Sequence, residues 1–185
     1  HFVAIDLLSQ AEHAEDSRIV LVTITRDMAD KILAEVKRLR STAARREIIA
    51  ESLSENGVVV LARTHEEAAE LANQFAPEHL ELMVSDPWAM LPLIKNAGAI
   101  MMGRYSPVPL GDYAAGPSHT LPTAGTARFS SPLGVDDFIK RSSLVSYSRD
   151  ALREIAATVI DLAEAEGFTA HADSVRIRVH PKEEV

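Results

Sequence analysis

Gln10 and His13 lie three residues apart in Asp6-Leu7-Leu8-Ser9-Gln10-Ala11-Glu12-His13, so on a helix their side chains converge on one point. Histidine is the commonest metal-ligating side chain, although a glutamine amide is an unusual partner for zinc. The plain alternative is a solvated helix face. Glu78-His79 follows Pro77 at the entrance to an apolar run. A carboxylate and an imidazole are what water activation and proton transfer near neutral pH require. A surface dipeptide at a strand start would read the same way. Asp112 lies in Gly111-Asp112-Tyr113 and His119 in Gly116-Pro117-Ser118-His119, where glycines let the backbone approach a ligand closely. Asp112 could equally cap backbone amides in a turn network. Glu166 and His171 flank Gly167, and Glu166 closes a helix, where its charge opposes the helix dipole. Such an acid is either functional or simply exposed and screened. His65 and His180 have no suggestive neighbours and are assigned to the surface.

The elements that must carry these residues follow from periodicity. Apolar residues at helical spacing run from Phe2 to about His13. Ile19 to Ile24 is a β-branched run expected to be a strand buried on both faces. Asp27 to about Arg40 reads as a helix with Met28, Ile32, Leu33 and Val36 on its inner side, followed by a second helix from Thr42 to Ser54. After Asn56-Gly57, Val58 to Leu61 is the next expected buried strand. Thr64 with Glu67 three residues on is a capping-box pattern opening a helix to about Phe75. Leu80 to Val84 alternates as a strand, Asp86-Pro87 opens a short helix, and Ala99 to Met102 is a strand stopped by Gly103. The Pro- and Gly-punctuated segment from Ser106 to Pro132 carries Tyr113, Leu121 and Phe129 and reads as an ordered binding loop without regular structure. A helical turn at Val135–Arg141, a last strand at Leu144–Tyr147, an amphipathic helix from Asp150 to Glu166 and a short helix or extended arm from Thr169 to Arg178 complete the chain.

Strands alternating with helices imply an α/β fold: a mainly parallel, incomplete Rossmann-like sheet flanked by helices, with a C-terminal helical tail. Functional residues are then expected in loops at the carboxyl ends of the strands. Residues 1–133 are expected to form the α/β portion with the chemistry and 134–185 the tail.

Among the 185 residues, 46% are hydrophobic and 25% charged, as in a globular protein with a sizeable core. Lys and Arg number 19 against 27 Asp and Glu, and the net charge of −8 argues against nucleic-acid binding. With no cysteine there is neither disulfide nor thiol nucleophile, which fits a reducing cytoplasm. No apolar run is long enough to cross a bilayer. The first residues lack a basic region and a cleavage signal and read as the inside of a helix, so the chain is expected to begin mid-protein. Neither a Gly-x-Gly-x-x-Gly nor a Walker sequence is present, so no motif for binding a dinucleotide is visible.

Taken in order, the stretches Asp6 to His13, Pro77-Glu78-His79-Leu80, Gly111 to Thr123, Ala127 to Leu133 and Thr169-Ala170-His171 resemble histidinol dehydrogenase. The resemblance spans nearly the whole chain and implies a C-terminal portion of that enzyme, without the N-terminal half that binds NAD and supplies a substrate-contacting serine. It implies oxidation of L-histidinol through the aldehyde to L-histidine with two NAD and one water, in histidine biosynthesis. By motif, Gln10, His13, Asp112 and His171 match the zinc ligands, and Glu78 and His79 the acid–base pair. Substrate contacts fall on Gln10, His13, His79, Asp112, Glu166 and His171, with His119 a further histidine on the substrate side. The resemblance also implies a cytoplasmic homodimer whose tails exchange, bringing Glu166 and His171 into the partner's site, and a chain inactive by itself. Val108 departs from an acid found in many relatives. Two other readings compete: a zinc- or imidazole-binding module without catalysis, and a related NAD-dependent dehydrogenase acting on another amino alcohol.

Overall fold

The computed structural model describes residues 1–180, in two compact units that divide between Phe138 and Ile139. The first opens with α1 (Phe2–Ala11), β1 (Ile19–Thr23), α2 (Arg26–Arg40), α3 (Arg46–Asn56) and β2 (Gly57–Leu61). It continues with α4 (His65–Phe75), β3 (His79–Leu82), α5 (Pro87–Met90), β4 (Ala99–Met102) and α6 (Val108–Tyr113). Three short 3-10 turns are interspersed, two of them at Thr126–Arg128 and Val135–Phe138. The second unit is a helix pair, α7 (Arg149–Ala165) and α8 (Thr169–Val179).

The fold is mixed α/β and its strand pairs are parallel, as the periodicity predicts. The strands form two separate pairs, with β1 on β2 from Ile19↔Gly57 to Thr23↔Leu61 and β3 on β4 from His79↔Ala99 to Leu82↔Met102. Each pair has its own apolar core. Ala4, Leu8 and Ala11 of α1 pack with Ile19, Leu21, Ile32, Val36 and Ile49 around the first. Ala69, Leu82 and Met90 form the second, with Leu80, Ile100 and Met102 packed against it.

Several expectations change on inspection. β1 alternates buried and half-buried residues rather than being buried on both faces. β2 is exposed, with Val58 at 51% and Leu61 at 53%, because among the described residues it pairs with β1 alone and nothing covers its outer side. On α2 the inner stripe is Ala29, Ile32 and Val36, while Met28 and Leu33 face outward. α3 begins at Arg46, after a turn in which Thr42 and Ala43 donate to Leu39 and Arg40 carbonyls. The 106–132 segment is not without regular structure, since α6 and the turn at Thr126–Arg128 lie within it. Its proline count concealed α6, because Pro109 stands near the helix start, where a missing N–H costs nothing. Leu144–Tyr147 forms no strand, and Leu144 is 95% exposed. β-branched composition makes a strand only where a partner completes the ladder.

Thr64 caps α4 by accepting from the Glu67 N–H at 3.2 Å. The Glu67 carboxylate reaches one residue further back than a capping box would take it, accepting from the Arg63 N–H at 2.6 Å. At the other end Ala76, left-handed at φ 52°, turns the chain sharply into Pro77-Glu78-His79 and β3.

Candidate functional site

A cleft of about 300 Å³ in the first unit is lined by α1 residues Asp6, Ser9 and Gln10, by Glu12 and His13 beyond that helix, and by Arg45. Glu81 of β3 and Val108, Pro109, Asp112 and Tyr113 of α6 complete its wall. Sequence candidates from two distant segments, Gln10 and His13 on one and Asp112 on the other, therefore line the same cleft. α1 ends at Ala11 rather than His13, and the His13 N–H turns back onto the Gln10 carbonyl at 3.4 Å. His13 thus reaches the cleft from the turn after the helix.

His79 stands directly behind Asp112. Its Nε2 lies 3.7 Å from Asp112 Oδ1, with the two side chains 15% and 24% exposed. That distance is too long for a hydrogen bond, and Nε2 is buried without a hydrogen-bond partner. A buried, unpaired imidazole nitrogen costs desolvation free energy unless something meets it, so this atom points to a ligand.

The placement follows from register. α6 lies alongside β3, with the Val108 N–H on Glu81 Oε1 at 3.3 Å and Asp112 beside His79. Four helical residues advance about 6 Å. Two strand residues cover nearly the same, about 6.6 Å, so both contacts are made at once. Gly111 eases the approach, since a Cβ there would meet the flexible Met101 Cε of β4 at 2.8 Å and have to push it aside. Because α6 folds back along the strand, the site stands at the amino end of β3 rather than at a carboxyl end.

Asp6 and Glu81, which the sequence reading did not single out, are a second feature of the cleft. Their carboxyl groups are within hydrogen-bond reach of each other. Burial and then the neighbouring Asp6 charge push Glu81 up to about 7, although the Val108 N–H acts to lower it. Burial also raises Asp6, opposed by its bond to Glu81. The available signal was parity: Glu81 is two residues from His79 on one strand, and so on the same face.

The remaining candidates lie elsewhere. Glu78 precedes β3, its carbonyl accepting from the Ala99 N–H at 2.8 Å, and it does not line the cleft. His119 is exposed, outside the cleft, and Asp112 is helical rather than in a loop. In the second unit Glu166 is the exposed C-cap of α7, and His171 is exposed on α8 with its ring 5.2 Å from that of Phe168. His65 and His180 are exposed. Among the described residues no three His, Cys, Asp or Glu side chains form a metal cage. Within the cleft, Gln10, His13 and Asp112 supply an amide, an imidazole and a carboxylate, donors that fit a zinc ion short of one ligand.

Fold and cleft together define an α/β protein whose parallel strands and flanking helices gather candidate ligands next to a buried imidazole. The comparisons with known proteins narrow this class. The family model described as histidinol dehydrogenase matches residues 1–179, and the chain belongs to that family. It is 55% identical over 177 residues to the histidinol dehydrogenase of Oceanobacillus iheyensis, covering 96% of this chain and 42% of that protein. To that of Caldanaerobacter subterraneus subsp. tengcongensis it is 50% identical over 179 residues, covering 97% of this chain and 42% of that protein. The crystal structure of histidinol dehydrogenase from Elizabethkingia anophelis matches at a TM-score of 0.87 and 34% identity, over 96% of this chain and 41% of that one. The chain thus spans about 42% of the length of these curated relatives.

Proposed function

We propose that this chain supplies the metal-holding and proton-transferring part of a histidinol dehydrogenase, which oxidises L-histidinol through the aldehyde to L-histidine in histidine biosynthesis. The observation carrying this reading is the unpartnered, buried His79 Nε2 beside Asp112, and Asp112 lines one cleft with Gln10 and His13. Gln10, His13 and Asp112 would hold zinc, with His171 as fourth ligand. When bound, zinc supplies orientation of the substrate imidazole and amine rather than redox chemistry.

His79 would take the hydroxyl proton at Nε2, and NAD, when bound, would supply the hydride acceptor for the carbinol carbon. NAD is bound by the portion of the enzyme that this chain does not match. Glu78 would activate the water that adds to the aldehyde, and the base would take the hydrate's hydroxyl proton, NAD being the acceptor of the second hydride when bound. Glu166 and His171 would enter the partner's cleft in a homodimer with exchanged tails, and His119 would face the substrate. The setting is cytoplasmic.

Histidinol-dependent NADH formation tests this, with the unmatched portion of a relative supplied as a separate polypeptide. A rate that falls roughly a hundred-fold or more in His79→Ala is expected for loss of a general base. No rate, or one indifferent to His79→Ala, contradicts the reading.

A further inference from the structure

Glu81 reaches two other elements from β3. It accepts from the Val108 N–H at 3.3 Å, where α6 begins, and lies within hydrogen-bond reach of the Asp6 carboxyl on α1. β3 and α1 belong to different apolar clusters, so this polar link joins the two halves of the first unit. It sits one level below the candidate site. Gln10 is one helical turn beyond Asp6, Asp112 one beyond Val108, and His79 two strand residues from Glu81.

We infer that Glu81 is a positioning residue of the cleft, fastening β3 to α1 through Asp6 and to α6 through the Val108 N–H. It thereby fixes the spacing of His79, Gln10 and Asp112. The inference rests on the reading of this cleft as the functional site. Two adjoining carboxyl groups cannot both ionise without repulsion, so the link to Asp6 needs one shared proton. The partial burial that raises both groups favours keeping it. Glu12, His13, Arg45, Asp112 and Tyr113 are the other charged or titratable groups on the cleft wall, and Arg45 is its one cation fixed at every pH. A carboxylic acid donates to one oxygen and accepts at the other, which is what joining an acceptor on α1 to a donor on α6 requires.

Val108 lies between Pro107 and Pro109, so its amide is a single isolated probe of the contact. Amide exchange is measured by NMR on the 15N-labelled chain, for wild type, Glu81→Gln, Glu81→Leu and Asp6→Ala. In Glu81→Leu the Val108 amide should exchange about ten-fold faster, and the His79 ring resonances should move. Glu81→Gln should restore both, because the amide oxygen still accepts from Val108 and the NH₂ still donates to Asp6. Asp6→Ala should loosen α1 while sparing Val108, and it provides the test if Glu81→Leu does not fold. An unchanged Val108 rate in Glu81→Leu overturns the inference. So does a Glu81→Gln chain as loose as Glu81→Leu, or an Asp6→Ala chain with unaltered α1. These rates are read without metal, so failure of the zinc reading would leave them unaffected and would be seen separately.

Discussion

The two strand pairs of the first unit share geometry but not circumstances. Both are short and parallel, yet β2 exposes Val58, Val59 and Leu61, whereas every residue of β3 and β4 is buried or half-buried. Polar chemistry gathers at the covered pair: His79 begins β3, Glu81 lies inside it, and α6 is pressed against it. Desolvation raises a carboxyl group only where water is displaced, as at Glu81, so a candidate site belongs beside the pair that is packed.

Substitutions can break or sharpen this contrast. The largest effect is expected at Leu82, buried in the β3 cluster, where Leu82→Ala should cost about 2–5 kcal/mol in chemical denaturation. Gly98→Ala comes next, because the new Cβ would meet the Glu78 carbonyl oxygen at 2.6 Å and that backbone cannot swing aside. It should cost about 1–3 kcal/mol. Thr64→Ala, which removes the α4 cap, should cost about 1 kcal/mol. Val58→Thr on the bare strand should change the stability of this chain by less than about 0.5 kcal/mol. A loss at Val58 as large as that at Leu82 would mean the two pairs do not differ.

Acid titration probes the same contrast through Glu81. Its folded value, raised to about 7, exceeds the ordinary 4.5, so the folded chain holds this proton more tightly than the unfolded one. The resulting stability is fully present below about pH 4.5 and is lost as pH rises through about 7. The melting temperature should therefore fall across this window, and Glu81→Gln should flatten that component. An identical slope in the variant would show that Glu81 is not the group responsible.

Much of this organisation was legible in the sequence. Runs such as Ile19–Thr23 and Ala99–Met102, and the Thr64 cap, act through local geometry and were read nearly to their ends. Three features depended on tertiary partners. The exposure of β2 and the failure of Leu144–Tyr147 to form a strand reflect missing ladder neighbours, which composition does not encode. α6 was masked because Pro and Gly signal turns, although Pro109 is tolerated at the helix start and Gly111 leaves room for the tip of Met101. Within the candidate site, Gln10, His13 and Asp112 were found through their sequence context, and the structure places them on one cleft wall. Glu81 and Asp6 were missed because a lone acid in a strand or helix reads as a solvated face until a partner is seen opposite it.

The central claim is that Gln10, His13 and Asp112 form one metal-holding wall. Calorimetric titration of the chelator-treated chain with zinc, beside His13→Ala and Asp112→Ala, tests it most directly. The account predicts saturable binding by wild type, weakened roughly ten-fold or more in each variant. Equal binding by all three proteins, or none by wild type, would contradict it.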